Sequence, residues 1–254
     1  MVTFANSSGT ATRSVQTIYP RFRGGGGENV GTETVCILGA DGPLGRRMIE
    51  IAIDCGYQIQ VLTSGHLDYS HSQLRIRKGC PLNTRDLRTV INGSSCVINL
   101  LNLSGHEAAK DSPRQTQYSA TVTKMVWSAM QRQQIDRYLL VSHPSVVTPA
   151  DRRRNPQGLA SKYLWPLLHR RRWRDLQAEA DLLRQTQLAW TLIRCPQVKD
   201  VDGYGPVDVD RHCPAGTLVS LDRLARFLIY QKDCQRYLRE SVFVASRVSR
   251  LRSM

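Results

Sequence analysis

Three glycines within seven residues, Gly39, Gly42 and Gly45 in "ILGADGPLG", separate an apolar run at 35–38 from a segment of helical spacing that opens near Pro43 and reaches about Cys55. No other feature restricts the fold as much. A tight strand-to-helix reversal needs small residues where backbone meets backbone, and a proline in the first helical turn gives up an N–H that has no helical partner. The same reversal leaves backbone N–H groups at the helix mouth, where they attract phosphate. A glycine cluster has two readings, a bare turn or a cradle for a pyrophosphate. Its place directly after a strand and before a helix favours the cradle.

The alternation continues along the chain. Apolar runs at 59–62, 74–76, 96–101, 138–141, 190–195 and 242–245 read as strands. The stretches 86–94, 115–133, 173–185 and 221–231 carry helical spacing, the first ending at Gly93. The run 96–101 is apolar almost throughout, as suits a strand buried on both faces. Strand and helix in turn predict an α/β, three-layer Rossmann fold: a doubly wound parallel sheet with helices on both faces. The 254 residues suffice for one such domain, over 34–246, and are short for two.

The end of the second strand reads "VLTSGH", placing Thr63 and Ser64 where an NAD site usually has a carboxylate for the ribose hydroxyls. A neutral strand end removes repulsion against a 2′-phosphate, and Arg46 or Arg47 in the first helix offers a counter-charge. NADP is therefore the expected cofactor, with NAD as the alternative.

Charge points to an anionic partner as well, since 35 Lys+Arg against 21 Asp+Glu leave +14. Residues 151–174 concentrate it, with eight basic side chains against Asp151 alone. The clusters Arg152–Arg154 and Arg170–Arg174, with Tyr163, Trp165 and Trp173 among them, suit an acidic protein or RNA. They equally suit a lid over 148–175 that steers an acidic substrate, or a solvated face. The apolar "YLWPLL" between the clusters caps the core or forms a partner patch, and 247–254 is a basic tail.

Residues 1–33 carry Arg13, Arg21 and Arg23, several Ser and Thr, no acid before Glu28, and four consecutive glycines. They read as a transit-like segment or a disordered leader. The first reading places the protein in the mitochondrial matrix or another organelle, the second in the cytoplasm. Seven cysteines, an odd count without a Cys-x-x-Cys pair, favour a reducing compartment and argue against disulfides or a zinc site. No apolar run approaches the ~20 residues of a transmembrane helix.

Four stretches, "ILGADGPLG", "CVINLLN", "YLLVSHPSVV" and "LAWTLIRCPQVKD", followed by "GTLVSLDRLARFLIYQ" and "RESVFVAS", resemble the atypical short-chain dehydrogenase/reductases. Within them the likeness is to the NmrA-like proteins and the biliverdin-IXβ (flavin) reductases. The resemblance implies a nicotinamide dinucleotide, with Gly39, Asp41, Gly42, Pro43, Leu44 and Gly45 wrapping its pyrophosphate and Arg46 close by. It implies Thr63 and Ser64 at the adenosine ribose, and Leu100, Leu101 and Asn102 along the path from adenine to ribose. Ser142 and His143 would flank the nicotinamide, with Cys195, Pro196 and Val198 beside its carboxamide.

This chain departs from the pattern in three places. Cys80 follows Gly79 where relatives have an adenine-recognising aspartate, Ser142-His143 replaces a Ser-Ser pair, and Tyr163 is followed four residues later by Leu167 rather than lysine. The usual tyrosine proton donor is missing, so His143 is the candidate donor near neutral pH, with Ser142 beside it. Two roles follow from these features. One is an NADPH-dependent reductase of the flavin/biliverdin-reductase-like type. The other is a non-catalytic Rossmann subunit or redox sensor, docked through its basic segment on a larger, possibly ribonucleoprotein, assembly.

Overall fold

A computed structural model describes residues 33–65, 67–103, 117–152, 165–201, 207–214 and 216–246. The segments 1–32 and 247–254, most of the insertion at 153–164, and with it Arg153, Arg154 and Tyr163, lie outside the described residues.

The chain begins with β1 (Thr34–Leu38), α1 (Pro43–Asp54), β2 (Gln58–Thr63), β3 (Leu74–Lys78) and α2 (Thr84–Ile91). It continues through β4 (Cys96–Asn99), α3 (Tyr118–Arg132), β5 (Arg137–Ser142), a single turn α4 (Trp165–Leu168), α5 (Arg170–Gln185) and β6 (Ala189–Arg194). The short strands β7 (Gln197–Lys199), β8 (Val207–Asp210) and β9 (Leu218–Ser220) precede α6 (Leu221–Gln231), and β10 (Glu240–Ser246) closes the fold.

Eight strands form one sheet in the order β3-β2-β1-β4-β5-β6-β10-β8. All neighbours in it are parallel except β8, which runs antiparallel to β10 at the edge. This is the doubly wound Rossmann arrangement, with the order reversing between β1 and β4. A second, two-stranded sheet pairs β7 with β9.

Alternation along β1 explains the layers. Val35 and Ile37 pack with α1 and α6 on one face, while Cys36 and Leu38 pack with α2, α3 and α5 on the other. Strands sandwiched in this way must be apolar on both faces, and β4 and β5 are buried at every position.

Several elements differ from the sequence-based expectations. The fourth strand stops at Asn99 rather than Leu101, because the Asn99 side chain turns to accept the Leu101 N–H at 3.0 Å. Helix α5 begins at Arg170, three residues before Trp173, because its first turn is too polar to show apolar spacing. Strands β7, β8 and β9 have only three or four residues each, too few to display a period of two.

Candidate functional site

The turn after β1 reverses within four residues. Gly39 takes φ +81°, a left-handed conformation that favours glycine. A Cβ on Gly45 would stand 2.3 Å from the Ala40 Cα, so this helix can approach the turn only with glycine there. At Gly42 a Cβ would meet nothing within 4 Å, leaving open space beside the helix mouth. Pro43 lacks an N–H, and the Arg46 N–H is bonded to the Gly42 carbonyl at 3.1 Å. No side chain caps α1 and its first turn holds no acid, so the Leu44 and Gly45 N–H groups are left without an intrahelical acceptor. A cradle of this shape and polarity fits a pyrophosphate.

In front of the cradle lies a cavity of about 370 Å³, at the crevice where the strand order reverses. Gly39, Gly42, Pro43, Leu44 and Gly45 form one wall. Leu100 and Asn102, beyond β4, and His143, beyond β5, form the floor, and Cys195, Pro196 and Val198 the far side. These eleven residues were all expected from the sequence. The structure adds Leu103, Arg172, Leu176, Gln197 and Leu221.

Arg172 belongs to one of the basic clusters, yet it faces the cavity while Arg170, Arg171 and Arg174 are exposed. Helical phase supplies the reason: α5 buries Leu176, Glu179, Ala180 and Leu183, and position 172 continues that stripe by one turn. The signal was therefore present in the spacing. The Arg172 guanidinium donates to the Asn102 carbonyl at 2.8 Å.

The remaining expected residues lie outside the cavity wall. Ser142 is buried, and its carbonyl accepts the Cys195 N–H at 3.1 Å. Leu101 packs into the core between the sheet and α3. Arg46, Ser64 and Cys80 are exposed. Thr63 is buried at the end of β2, where its hydroxyl donates to the Asp41 carboxylate and accepts the Gly65 N–H at 3.1 Å.

That contact corrects the premise of a neutral strand end, since the turn itself delivers a carboxylate there. Arg47 is likewise committed elsewhere, donating to Asp222 at 2.7 and 2.9 Å and to Glu50 at 2.6 Å. A comparable substitution occurs at Gly79-Cys80. Asp86, from α2, accepts the Cys80 N–H at 3.0 Å and lies so close that a Cβ on Gly79 would be 2.6 Å from its Oδ2.

His143 lines the cavity in its neutral form. Its Nδ1 accepts the Ser145 backbone N–H at 3.2 Å and lies 2.8 Å from the Ser145 hydroxyl, which assigns the proton to Nε2. Burial, then the charges of Arg172 and His169, hold its pKa down to about 4. An imidazolium donor near neutral pH, expected from the sequence, is thus not what this site offers. Burial also pushes the Cys195 thiol up to about 12, so no thiolate faces the cavity.

Behind the floor runs a buried polar network. The Asn102 amide donates to Glu179 at 2.7 Å and to the Val141 carbonyl at 3.2 Å, while its oxygen accepts from Ser119 at 3.0 Å. Thr123 donates to the other Glu179 oxygen at 2.7 Å. No metal-ligand cluster occurs among the described residues, and none of their helices is long and apolar enough to cross a membrane.

A family model described as NAD(P)H-binding matches residues 39–233. No curated protein matches the chain in sequence. Solved structures do match in fold. A short-chain dehydrogenase/reductase from Veillonella parvula in complex with NADP is 15% identical with a TM-score of 0.64, over 84% of this chain and 94% of that one. An oxidoreductase from Lactococcus lactis is 13% identical, TM-score 0.64, over 84% and 91% respectively. A Rossmann-fold NAD(P)-binding family protein from Shigella flexneri is 19% identical, TM-score 0.59, over 85% and 94%.

Proposed function

Because this chain belongs to the NAD(P)H-binding family, we propose that it holds a nicotinamide dinucleotide in the crevice and acts as a reductase of the flavin/biliverdin-reductase-like or NmrA-like type. The observation that carries this reading is the continuous cavity joining the glycine cradle to His143 and the Cys195–Val198 segment. The N–H groups of Leu44 and Gly45 receive the pyrophosphate. When bound, the nicotinamide supplies a hydride. The protein's part is to orient donor and acceptor and keep water out, with Leu100, Leu103, Leu176, Val198 and Leu221 as the apolar lining.

Arg172 sets one positive charge on the cavity wall, which suits a flat, conjugated acceptor bearing an acidic group. Neutral His143 offers a hydrogen bond rather than a labile proton, so the acceptor's proton comes from solvent. Fluorescence titration with NADH and NADPH tests binding, and turnover with FMN and quinones tests the reaction. Gly42→Val sets its Cβ in open space at the helix mouth and should abolish both while the protein stays folded. An unchanged rate in that variant would show that turnover occurs elsewhere.

One observation favours a second reading, a docking role. Arg170, Arg171 and Arg174 are exposed beside Leu167 and Leu168, which are 75% and 67% exposed. A triple Arg→Ala variant should lose salt-sensitive binding to a mixed-sequence RNA if the surface engages phosphates. Equal binding by the variant and the parent protein would count against it.

A further inference from the structure

We infer that the protein carries a second small-molecule site, apart from the crevice, that takes an organic monoanion: a single carboxylate on an apolar body. The crevice lies beyond the C-terminal ends of the strands. A separate cavity of about 450 Å³ lies by the first residues of β6 and β10 and the turn that follows β8, at the edge of the sheet. It shares no lining residue with the crevice, and its volume is in the range of cavities that enclose small ligands.

Hydrogen bonds hold its walls in place. The His212 ring, just beyond β8, donates from Nδ1 to the Ala150 carbonyl at 2.7 Å, and the His212 carbonyl accepts the Arg152 N–H at 3.0 Å. Asp151, between those two residues in the chain, pairs with the buried Arg194 at 2.8 Å. The Arg239 N–H donates to the Trp190 carbonyl at 2.6 Å, which fixes the entry to β10 against β6. Arg239 takes φ +55°, a left-handed conformation uncommon outside glycine. Strain of this kind is kept where a side chain is put to use, and Arg239 lines this cavity.

Charge selects the ligand. Three arginines line the cavity, Arg184, Arg211 and Arg239. Arg184 pairs with Asp181 at 3.0 Å and Arg211 with Glu240 at 2.5 Å. Arg239 donates to neutral oxygens, the Thr186 carbonyl at 3.2 Å and the Gln187 amide at 3.4 Å, and no carboxylate pairs with it among the described residues. Three positive charges against two negative ones leave one, the complement of a single carboxylate, whose two oxygens match the planar guanidinium. A phosphate monoester, with nearly two charges, exceeds it. Pro149, Ala150 and Trp190 supply an apolar wall for the body of the ligand.

The test titrates phenylacetate into the isotope-labelled full-length protein, with phenylacetamide as the uncharged counterpart and phenyl phosphate as the dianion. The indole N–H signal of Trp190, identified with Trp190→Phe, reports this cavity. That of Trp173, whose N–H donates to the Ser145 carbonyl at 3.2 Å, reports the neighbourhood of His143 and the crevice. Phenylacetate should move the Trp190 signal saturably, with a Kd below about 1 mM, and leave Trp173 in place. Phenylacetamide should move neither, and phenyl phosphate should bind more weakly than phenylacetate. Arg239→Gly relieves the left-handed backbone and so stays folded, and it should weaken phenylacetate at least about tenfold. A Trp190 signal that phenylacetate does not move, or movement of Trp173 in its place, overturns the inference. Equal binding of the amide, tighter binding of the phosphate, or an affinity unchanged in Arg239→Gly overturns it as well.

Discussion

Glu179, in the middle of α5, accepts a hydrogen bond of 2.7 Å from the side-chain amide of Asn102, in the turn that follows β4. The two residues are 77 positions apart, and their contact fixes the cavity floor to the helix behind it. Asn102 spends both amide protons and its oxygen on Glu179, Val141 and Ser119, so it presents a rigid backbone to the ligand. The carboxyl that holds it is fully buried, and burial raises its pKa to about 7 against the hydrogen bonds from Thr123 and Asn102 that pull it down.

This predicts a pH-dependent stability with a definite sign. Glu179 binds its proton more tightly folded than unfolded, so its contribution is greatest below its ordinary value of 4.5 and is lost as pH rises through about 7. The change is on the order of 3 kcal/mol. In chemical denaturation, Glu179→Gln should gain stability relative to the parent protein between pH 5 and 8, and a difference independent of pH would contradict this.

Two of the turn's three glycines should respond differently to substitution. Gly45→Ala forces a Cβ to within 2.3 Å of the Ala40 backbone and should cost about 3 kcal/mol or more, a fall in Tm of roughly 10 °C. Gly42→Ala meets nothing within 4 Å and has φ −83°, so its Tm should move by no more than about 2 °C. Differential scanning fluorimetry decides between these outcomes.

Arg194 is completely buried at the end of β6, its charge met by Asp151 at 2.8 Å and by the Phe243 ring at 3.7 Å. Asp151 also accepts from the Thr148 N–H and hydroxyl, tying the segment after β5 to the sheet. Asp151→Ala strands a buried guanidinium and should destabilise the protein by about 3–5 kcal/mol, whereas Arg194→Met, which removes the charge itself, should cost less. Urea denaturation of the two variants measures the order.

The His143 imidazole should keep constant NMR shifts between pH 5.5 and 8 and titrate only near its lowered pKa of about 4. Its neutral form is the one the fold retains. The stability it contributes is therefore present above the ordinary value of 6.5 and is lost as pH falls toward 4. A titration midpoint near 6.5 would return His143 to the role of proton donor.

Much of this protein was legible in its sequence because the signals were local. The glycine turn, the strand-helix alternation and the apolar runs of β4, β5 and β6 are all periods or spacings within a dozen residues. The cavity wall beyond the glycine turn was expected from the resemblance to the atypical short-chain dehydrogenase/reductases, whose site residues sit at the ends of parallel strands. The short strands β7 to β9 escaped, having too few residues to show a period.

By itself, then, the sequence determined the Rossmann fold, the glycine cradle and the strand ends that gather around it. Only the tertiary structure decided the site's charge and protonation. It set Asp41 against Thr63, left His143 neutral and placed Glu179 beneath Asn102. The reason is physical: backbone periodicity is set by near neighbours, whereas the field and solvation at a side chain come from groups that strand order and helix phase bring together from distant parts of the chain.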